Sequence, residues 1–364
     1  TWPYPWSEAE IKDGAEIVDW IVDQPWSNGK VGTYGNSYVA NSAEFLLTNQ
    51  HPAVKAAVLR YGLFDSYVDI AYPGGIHHEW FLDTWNRADQ ALDSNDTGAL
   101  LKMMGVDLPL KGLPGVKPAG PPIKRWVMLE KAVESHKNNG NVYKESLLHE
   151  YRDDYSENWG GSSRVLSPYY YMDEIEATDV AVYSYTGWFD GPYTNANINR
   201  HLNLANSKKL IIGPWPHGGH ESISPWRDSP EVDFDHNAEL LRFFDYYLKG
   251  IDNGIEDEPP IYYYTMGEEK WKTAESWPPP AKRTRYYLSS RNSLLREGPV
   301  RSGAYDTYHV DYTTGSGDSA RNNSLINLEN VPIEYPDRAE RDEKLLVYET
   351  APLKEDMEVT GHPV

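Results

Sequence analysis

A strand-length run, a helix and a second strand-length run follow one another within thirty residues, and this constrains the chain more than any other feature. Lys30-Val31-Gly32-Thr33-Tyr34 is β-prone, Tyr38 to Asn49 has helical spacing, and Val54 to Leu59 is an apolar run. Strand, helix, strand at this spacing predicts parallel strands joined by a crossover helix, hence an α/β sheet. The pattern resumes with a strand over Asp179 to Tyr185, a helix from Thr194 to Leu204 and a buried strand over Lys209 to Gly213. An amphipathic helix over His236 to Lys249 then closes on Gly250 as its C-cap. Upstream, Ile11, Ala15, Ile17, Val18, Ile21 and Val22 predict a helix within Ser7 to Gln24, with Ser7 and Glu10 spaced as a capping box.

At 364 residues the chain exceeds what a single core usually serves. Between about Trp85 and Trp159 the texture changes. Leu100, Leu101, Met103 and Met104 precede a Pro/Gly-rich stretch from Leu108 to Pro122, and a helix is predicted from Ile123 to His136. After Asn253 the helical period is lost, and short runs such as Ile261 to Thr265, Arg285 to Leu288 and Leu345 to Tyr348 alternate with turn residues. The expected organisation is residues 1–85 as the first part of an α/β domain, 86–165 as an inserted, partly helical segment, 166–253 as its second part, and 254–364 as an all-β region of the sandwich or jelly-roll kind.

Composition excludes several classes. With no cysteine, there is no disulfide, thiolate metal site or cysteine nucleophile. A formal net charge of −21 repels a phosphate backbone, so nucleic acid is a poor partner. No apolar run is long enough for a membrane helix, and the opening Thr-Trp-Pro-Tyr-Pro-Trp is no signal peptide. Compartment and oligomeric state are left open.

The chemistry concentrates in three loops. Gly35-Asn36-Ser37-Tyr38-Val39-Ala40 falls between a strand and a helix, where a nucleophile elbow sits. The alternative is a serine capping an ordinary helix after a glycine turn. At an elbow, the backbone N–H of Tyr38 and the start of the helix face a developing oxyanion. Downstream, Thr186-Gly187-Trp188-Phe189-Asp190-Gly191 ends one predicted strand and Gly213-Pro214-Trp215-Pro216-His217-Gly218 ends the next. A serine hydroxyl needs a base to take its proton, and the base needs a carboxylate to orient it. Ser37, Asp190 and His217 supply these types in the chain order of α/β-hydrolase triads. Trp80, Trp85, Trp188 and Trp215 lie near the same loops and are candidates for an apolar substrate pocket, core packing being the alternative.

These motifs resemble those of the cocaine esterase-like hydrolases grouped with the Xaa-Pro dipeptidyl-peptidases and the α-amino-acid ester hydrolases. The likeness also runs through Phe243-Phe244-Asp245-Tyr246-Tyr247-Leu248-Lys249-Gly250, Met266-Gly267-Glu268-Glu269-Lys270-Trp271 and Trp277-Pro278-Pro279. The resemblance implies an α/β-hydrolase fold with a helical cap and a C-terminal jelly roll, a Ser37–His217–Asp190 triad, an acyl-enzyme, and no metal or organic cofactor. Its substrates would be small esters or amides, or short peptides. It also implies that strands before the elbow, with the second oxyanion donor, and the end of the jelly roll lie outside this chain. Val347 to Leu353 and Val359 to Gly361 resemble early jelly-roll strands.

Other readings are a noncatalytic carbohydrate-binding protein, prompted by 13 tryptophans and 27 tyrosines, and an inactive fragment of a hydrolase. His77-His78-Glu79 and the pair His217, His220 carry zinc-type ligands, but the second pair lacks helical register and already contains the base.

Overall fold

The computed structural model of the protein describes residues 4–103, 115–116, 120–121, 124–206, 208–227, 231–298, 303–315 and 337–361. Its centre is a six-stranded sheet in simple sequential order: β1 (Val31–Asn36), β2 (Val54–Arg60), β3 (Ala181–Gly187), β4 (Lys208–Gly213), β5 (Ile261–Thr265) and β6 (Lys270–Ala274). Strands β1 to β5 run parallel and β6 returns antiparallel to β5. This is an α/β-hydrolase-like sheet. Strands β5 and β6 lie beyond residue 253, so the sheet continues past the point where the sequence texture changes.

A parallel sheet must be covered on both faces, because its crossovers lay helices on both. The two-residue period of the strands sorts the apolar side chains accordingly. Ala57, Leu59 and Val182 point to one face, where Val18 of α1 (Glu8–Val22), Ala43 of α2 (Tyr38–Phe45) and Leu47 pack. Ala56, Val58, Tyr183, Tyr185 and Ile211 point to the other, under Phe243 of the helix His236–Lys249. Gly250 ends that helix at φ 69, the left-handed C-cap expected.

The cap region folds as α3 (Glu79–Asp93), α4 (Thr97–Met103), α5 (Arg125–His136) and α6 (Val142–Ser146). After it come α7 (Met172–Glu176) and α8 (Tyr193–Asn203), so the helix His236–Lys249 is α9. The stretch expected to be Pro/Gly-rich coil, Leu108 to Pro122, lies largely outside the described residues. Phe81 and Leu82 of α3 pack on Ile70 and on Tyr193 at the start of α8, which seats the cap beside the end of β3.

Three local expectations are corrected. Glu10 does reach back to the chain before the helix, but it accepts from the Trp6 N–H at 2.8 Å, and Ser7 makes no capping bond. The helix predicted to Asn49 is α-helical only to Phe45 and tightens to a 3-10 turn over Leu46–Asn49. In the C-terminal region β7 (Tyr287–Ser289) and β8 (Ser293–Leu295) form an antiparallel ribbon, but Glu349 adds only a single bridge to Ser293 where a strand from Val347 was expected. Val359 to Gly361 form no strand.

One ion pair joins the helices that follow the first and third strands. Arg200 of α8 holds Glu44 of α2 bidentately, Nε to Oε1 at 2.7 Å and Nη2 to Oε2 at 2.8 Å, and both side chains are fully buried. Burial pushes the Glu44 carboxyl up, and the Arg200 charge pulls it back. Nearby, Asp69 in a short π-helical turn (Tyr67–Ala71) accepts the N–H groups of Phe64 at 2.8 Å and Asp65 at 2.6 Å. Burial pushes Asp69 up to about 7, more than these bonds lower it.

Removing one partner of a buried pair leaves the other uncompensated, so Arg200→Met is expected to cost about 3–5 kcal/mol in urea unfolding. The double variant Arg200→Met/Glu44→Met should recover most of that loss. For Asp69 the folded value lies above the unfolded one, so its favourable contribution is complete below about pH 4 and is lost as pH rises through about 7. Asp69→Asn should therefore gain stability relative to the parent between pH 4 and pH 8, read as the difference between the two unfolding curves.

Candidate active site

Four parallel strands share one row near their carboxyl ends, with β1 and β2 ending at it and β3 and β4 running two residues past it. Asn36, Arg60, Tyr185 and Ile211 pair across β1, β2, β3 and β4 as one row, so the loops after β1, β3 and β4 leave from the same edge. Ser37, Asp190 and His217 lie on these loops, at the carboxyl ends where α/β sheets place their sites.

Ser37 sits in the turn from β1 into α2 with φ 61 and ψ −128, a conformation that a non-glycine residue adopts only when its surroundings enforce it. The enforcement is visible. Its N–H donates to Arg60 O at 2.8 Å, and its carbonyl accepts from Ala40 N at 2.9 Å. A Cβ on Gly35 would lie 2.1 Å from Val39 O, so only glycine lets the helix turn back this closely over the strand. The helix-cap reading lacks its defining feature, since the Ser37 side chain makes no capping hydrogen bond. Tyr38 opens α2, so its amide stands at the positive end of the helix.

The loops after β3 and β4 are zipped together beyond the sheet. Trp188 N donates to Gly213 O at 2.9 Å and Phe189 N to Trp215 O at 3.1 Å. This brings His217 Nδ1 to 2.6 Å from Asp190 Oδ1. Both residues are buried, Asp190 fully and His217 at 2% exposure. Burial raises the Asp190 carboxyl, while the His217 imidazole and the Thr186 hydroxyl lower it. A carboxylate facing Nδ1 fixes the tautomer that leaves Nε2 bare to accept a proton.

The serine and histidine are brought to the same edge but not into a closed hydrogen bond: among the described residues the Ser37 hydroxyl has no hydrogen-bond partner. The link between the two loops runs through β2. Arg60, whose carbonyl holds Ser37 N, also donates from Nη2 to Gly218 O at 3.1 Å. The Tyr61 ring lies 5.5 Å from that of His217, and the Tyr193 ring lies 4.9 Å from it on the cap side.

The tryptophans divide. Trp80 packs in the apolar cluster around Tyr193 and so remains beside the site. Trp215 is corrected to a core residue: at 1% exposure it stacks on Tyr185, ring centroids 5.7 Å apart, under α9. Trp188 is half-buried, donating Nε1–H to Tyr264 O at 2.7 Å and packing against Trp277. Trp85 stacks on Phe81. His77 bonds Ser146 Oγ at 2.9 Å and His78 bonds Ile70 O at 3.1 Å, and no cluster suited to a metal ion occurs among the described residues. No described helix is long and apolar enough to cross a membrane. Residues the sequence did not single out are Arg60, Tyr61, Tyr193 and His236. Arg60 alone left a signal, as a charge closing an apolar strand.

Comparison with known proteins agrees with this architecture. A putative serine esterase of Mycobacterium tuberculosis is 43% identical over 99% of the chain and 59% of its own length. The cocaine esterase of a Rhodococcus strain is 23% identical over 96% of the chain and 61% of its length. The chain thus spans about three fifths of the curated relatives it matches. A crystal structure of a CocE/NonD family hydrolase from Staphylococcus aureus superposes over 81% of this chain and 43% of that one, with a TM-score of 0.53 at 19% identity, which speaks to the fold. Residues 253–364 match the X-Pro dipeptidyl-peptidase C-terminal non-catalytic domain. Residues 3–219, which hold all three loops, match the X-Pro dipeptidyl-peptidase (S15) family, and the chain belongs to that family of serine hydrolases.

Proposed function

We propose that this chain carries the catalytic machinery of a serine hydrolase that cleaves an ester or amide through an acyl-enzyme. Ser37 attacks the carbonyl carbon as His217 Nε2 takes its proton, and Asp190 stabilises the imidazolium that forms. The oxyanion gathers charge beside the Tyr38 amide at the start of α2. The protonated His217 then gives its proton to the leaving alcohol or amine. Water, deprotonated in turn by His217, releases the acid. The observation that supports this most is the strained Ser37 turn at the same sheet edge as the buried His217–Asp190 pair.

The name of the 43% identical relative favours an ester over a peptide as substrate. The cap helix α3, with Trp80 near Tyr193, supplies an apolar wall for the acyl group. No step needs a metal or organic cofactor.

In the full natural chain, Ser37→Ala is expected to abolish hydrolysis of p-nitrophenyl esters while leaving the circular dichroism spectrum unchanged. Retained turnover would overturn the nucleophile assignment. Asp190→Asn keeps the shape but allows the wrong imidazole tautomer, so kcat should fall by about 10⁴-fold with little change in KM. A second comparison separates substrate classes: p-nitrophenyl butyrate should be turned over faster than Ala-Pro-p-nitroanilide, and the reverse order would identify a peptidase.

A further inference from the structure

His217 leaves from β4, whereas Ser37 lies past the end of β1, three strands away. At about 4.8 Å per strand, the loop after β4 must lean roughly 14 Å across the sheet edge to present its imidazole to the serine. Asp190 fixes the rotation of the ring through Nδ1 but does not set how far the loop advances, because Asp190 is itself carried by the neighbouring strand.

Two groups outside the triad grip the peptides that follow His217. Arg60, the last residue of β2, donates from Nη2 to Gly218 O at 3.1 Å. His236, the first residue of α9, faces Gly219 O with Nε2 at 2.8 Å. A carbonyl oxygen only accepts, so His236 Nε2 carries the proton. Burial, with the Arg60 charge nearby, lowers His236 to about 4, so the ring is neutral and its Nδ1 accepts from Tyr185 OH at 3.0 Å. Arg60 is fixed in turn by Tyr34 OH at 3.0 Å and by the faces of Tyr61 and Tyr185, 5.4 and 5.1 Å from its guanidinium carbon.

The gripped peptides have no slack. Gly218 and Gly219 hold φ 93 and 70, and a Cβ on Gly219 would lie 2.2 Å from Tyr61 OH, 3.2 Å from His236 Nε2 and 3.3 Å from Arg60 Nη2. Because Arg60 O also holds Ser37 N, one residue of β2 touches the backbone on both sides of the reacting pair.

We infer that Arg60 and His236 are positioning residues for the general base: by clamping Gly218 O and Gly219 O from β2 and α9, they set the approach of His217 to Ser37. This rests on the triad reading above. It predicts that loosening the clamp slows chemistry without weakening substrate binding, since neither side chain belongs to the proposed substrate contacts.

The test is steady-state hydrolysis of p-nitrophenyl acetate by the full natural chain, with His236→Phe, His236→Gln and Ser37→Ala in one series. Phenylalanine keeps the ring but not the donor, whereas glutamine keeps an N–H near the position of Nε2. His236→Phe should lower kcat by about 10- to 100-fold with KM unchanged, the size expected when a reacting group is misplaced by about 1 Å. His236→Gln should return kcat to within about threefold of the parent. The downfield proton resonance of His217 Nδ1–H should broaden in the phenylalanine variant and sharpen again in the glutamine variant. If His236→Phe does not fold, Tyr185→Phe, which removes only the hydroxyl fixing the tautomer, should still lower kcat at constant KM.

A parent-like kcat in folded His236→Phe or Tyr185→Phe, or an equal loss in the glutamine and phenylalanine variants, overturns the inference. If Ser37→Ala is inactive in that same series, the triad reading survives such a result. Activity in Ser37→Ala would instead remove the triad reading itself.

Discussion

The site depends on one row of the parallel sheet. Asn36, Arg60, Tyr185 and Ile211 are paired side by side, so three loops leave the same sheet edge, the first at this row and the other two from residues just past it. Slipping any strand by one residue would turn its apolar set to the wrong face, and the two clusters that sandwich the sheet oppose such a slip. Hydrophobic burial on both faces therefore fixes, at one remove, where Ser37, Asp190 and His217 stand. The Arg200–Glu44 pair adds a lateral tie between the helix that begins at the elbow and the helix that follows the Asp190 loop.

Two polar devices work against that apolar background. The first is strain: Ser37 at φ 61 is held by backbone bonds on either side and by a glycine with no room for a Cβ. The second is a buried carboxylate beside an imidazole, 2.6 Å apart, where exclusion of water makes each charge matter more than it would in solvent. Both are unfavourable to the fold taken alone. Their coincidence at one sheet edge is what supports the proposed roles of Ser37 as nucleophile and His217 as base.

The sequence made the sheet legible because strand and helix periods alternate cleanly over Val31 to Leu59 and again over Ala181 to Gly213. The triad candidates were legible because each stands directly after such a strand. Arg60 and His236 were not, since their partners are backbone carbonyls 158 and 17 residues distant, and no spacing rule encodes a carbonyl acceptor. The tryptophans show the converse failure. Trp215 sits in a site-bearing loop yet turns inward, because an indole beside the end of a buried strand lowers its free energy most by packing into the core. Glu10 accepts from the Trp6 N–H rather than that of Ser7, although Ser7 is the N-cap, and Trp6 stands in a left-handed conformation at φ 56 that no spacing in the motif encodes.

In the proposed mechanism Ser37 alone becomes nucleophilic, through His217. The most direct test of that mechanism is covalent labelling of the full natural chain with a fluorophosphonate, followed by peptide mapping by mass spectrometry. One phosphonyl group per chain is expected, on Ser37, formed at least about a hundredfold more slowly when His217 is alanine. A stoichiometric label on any other residue, or a Ser37 label whose rate ignores the loss of His217, would contradict it.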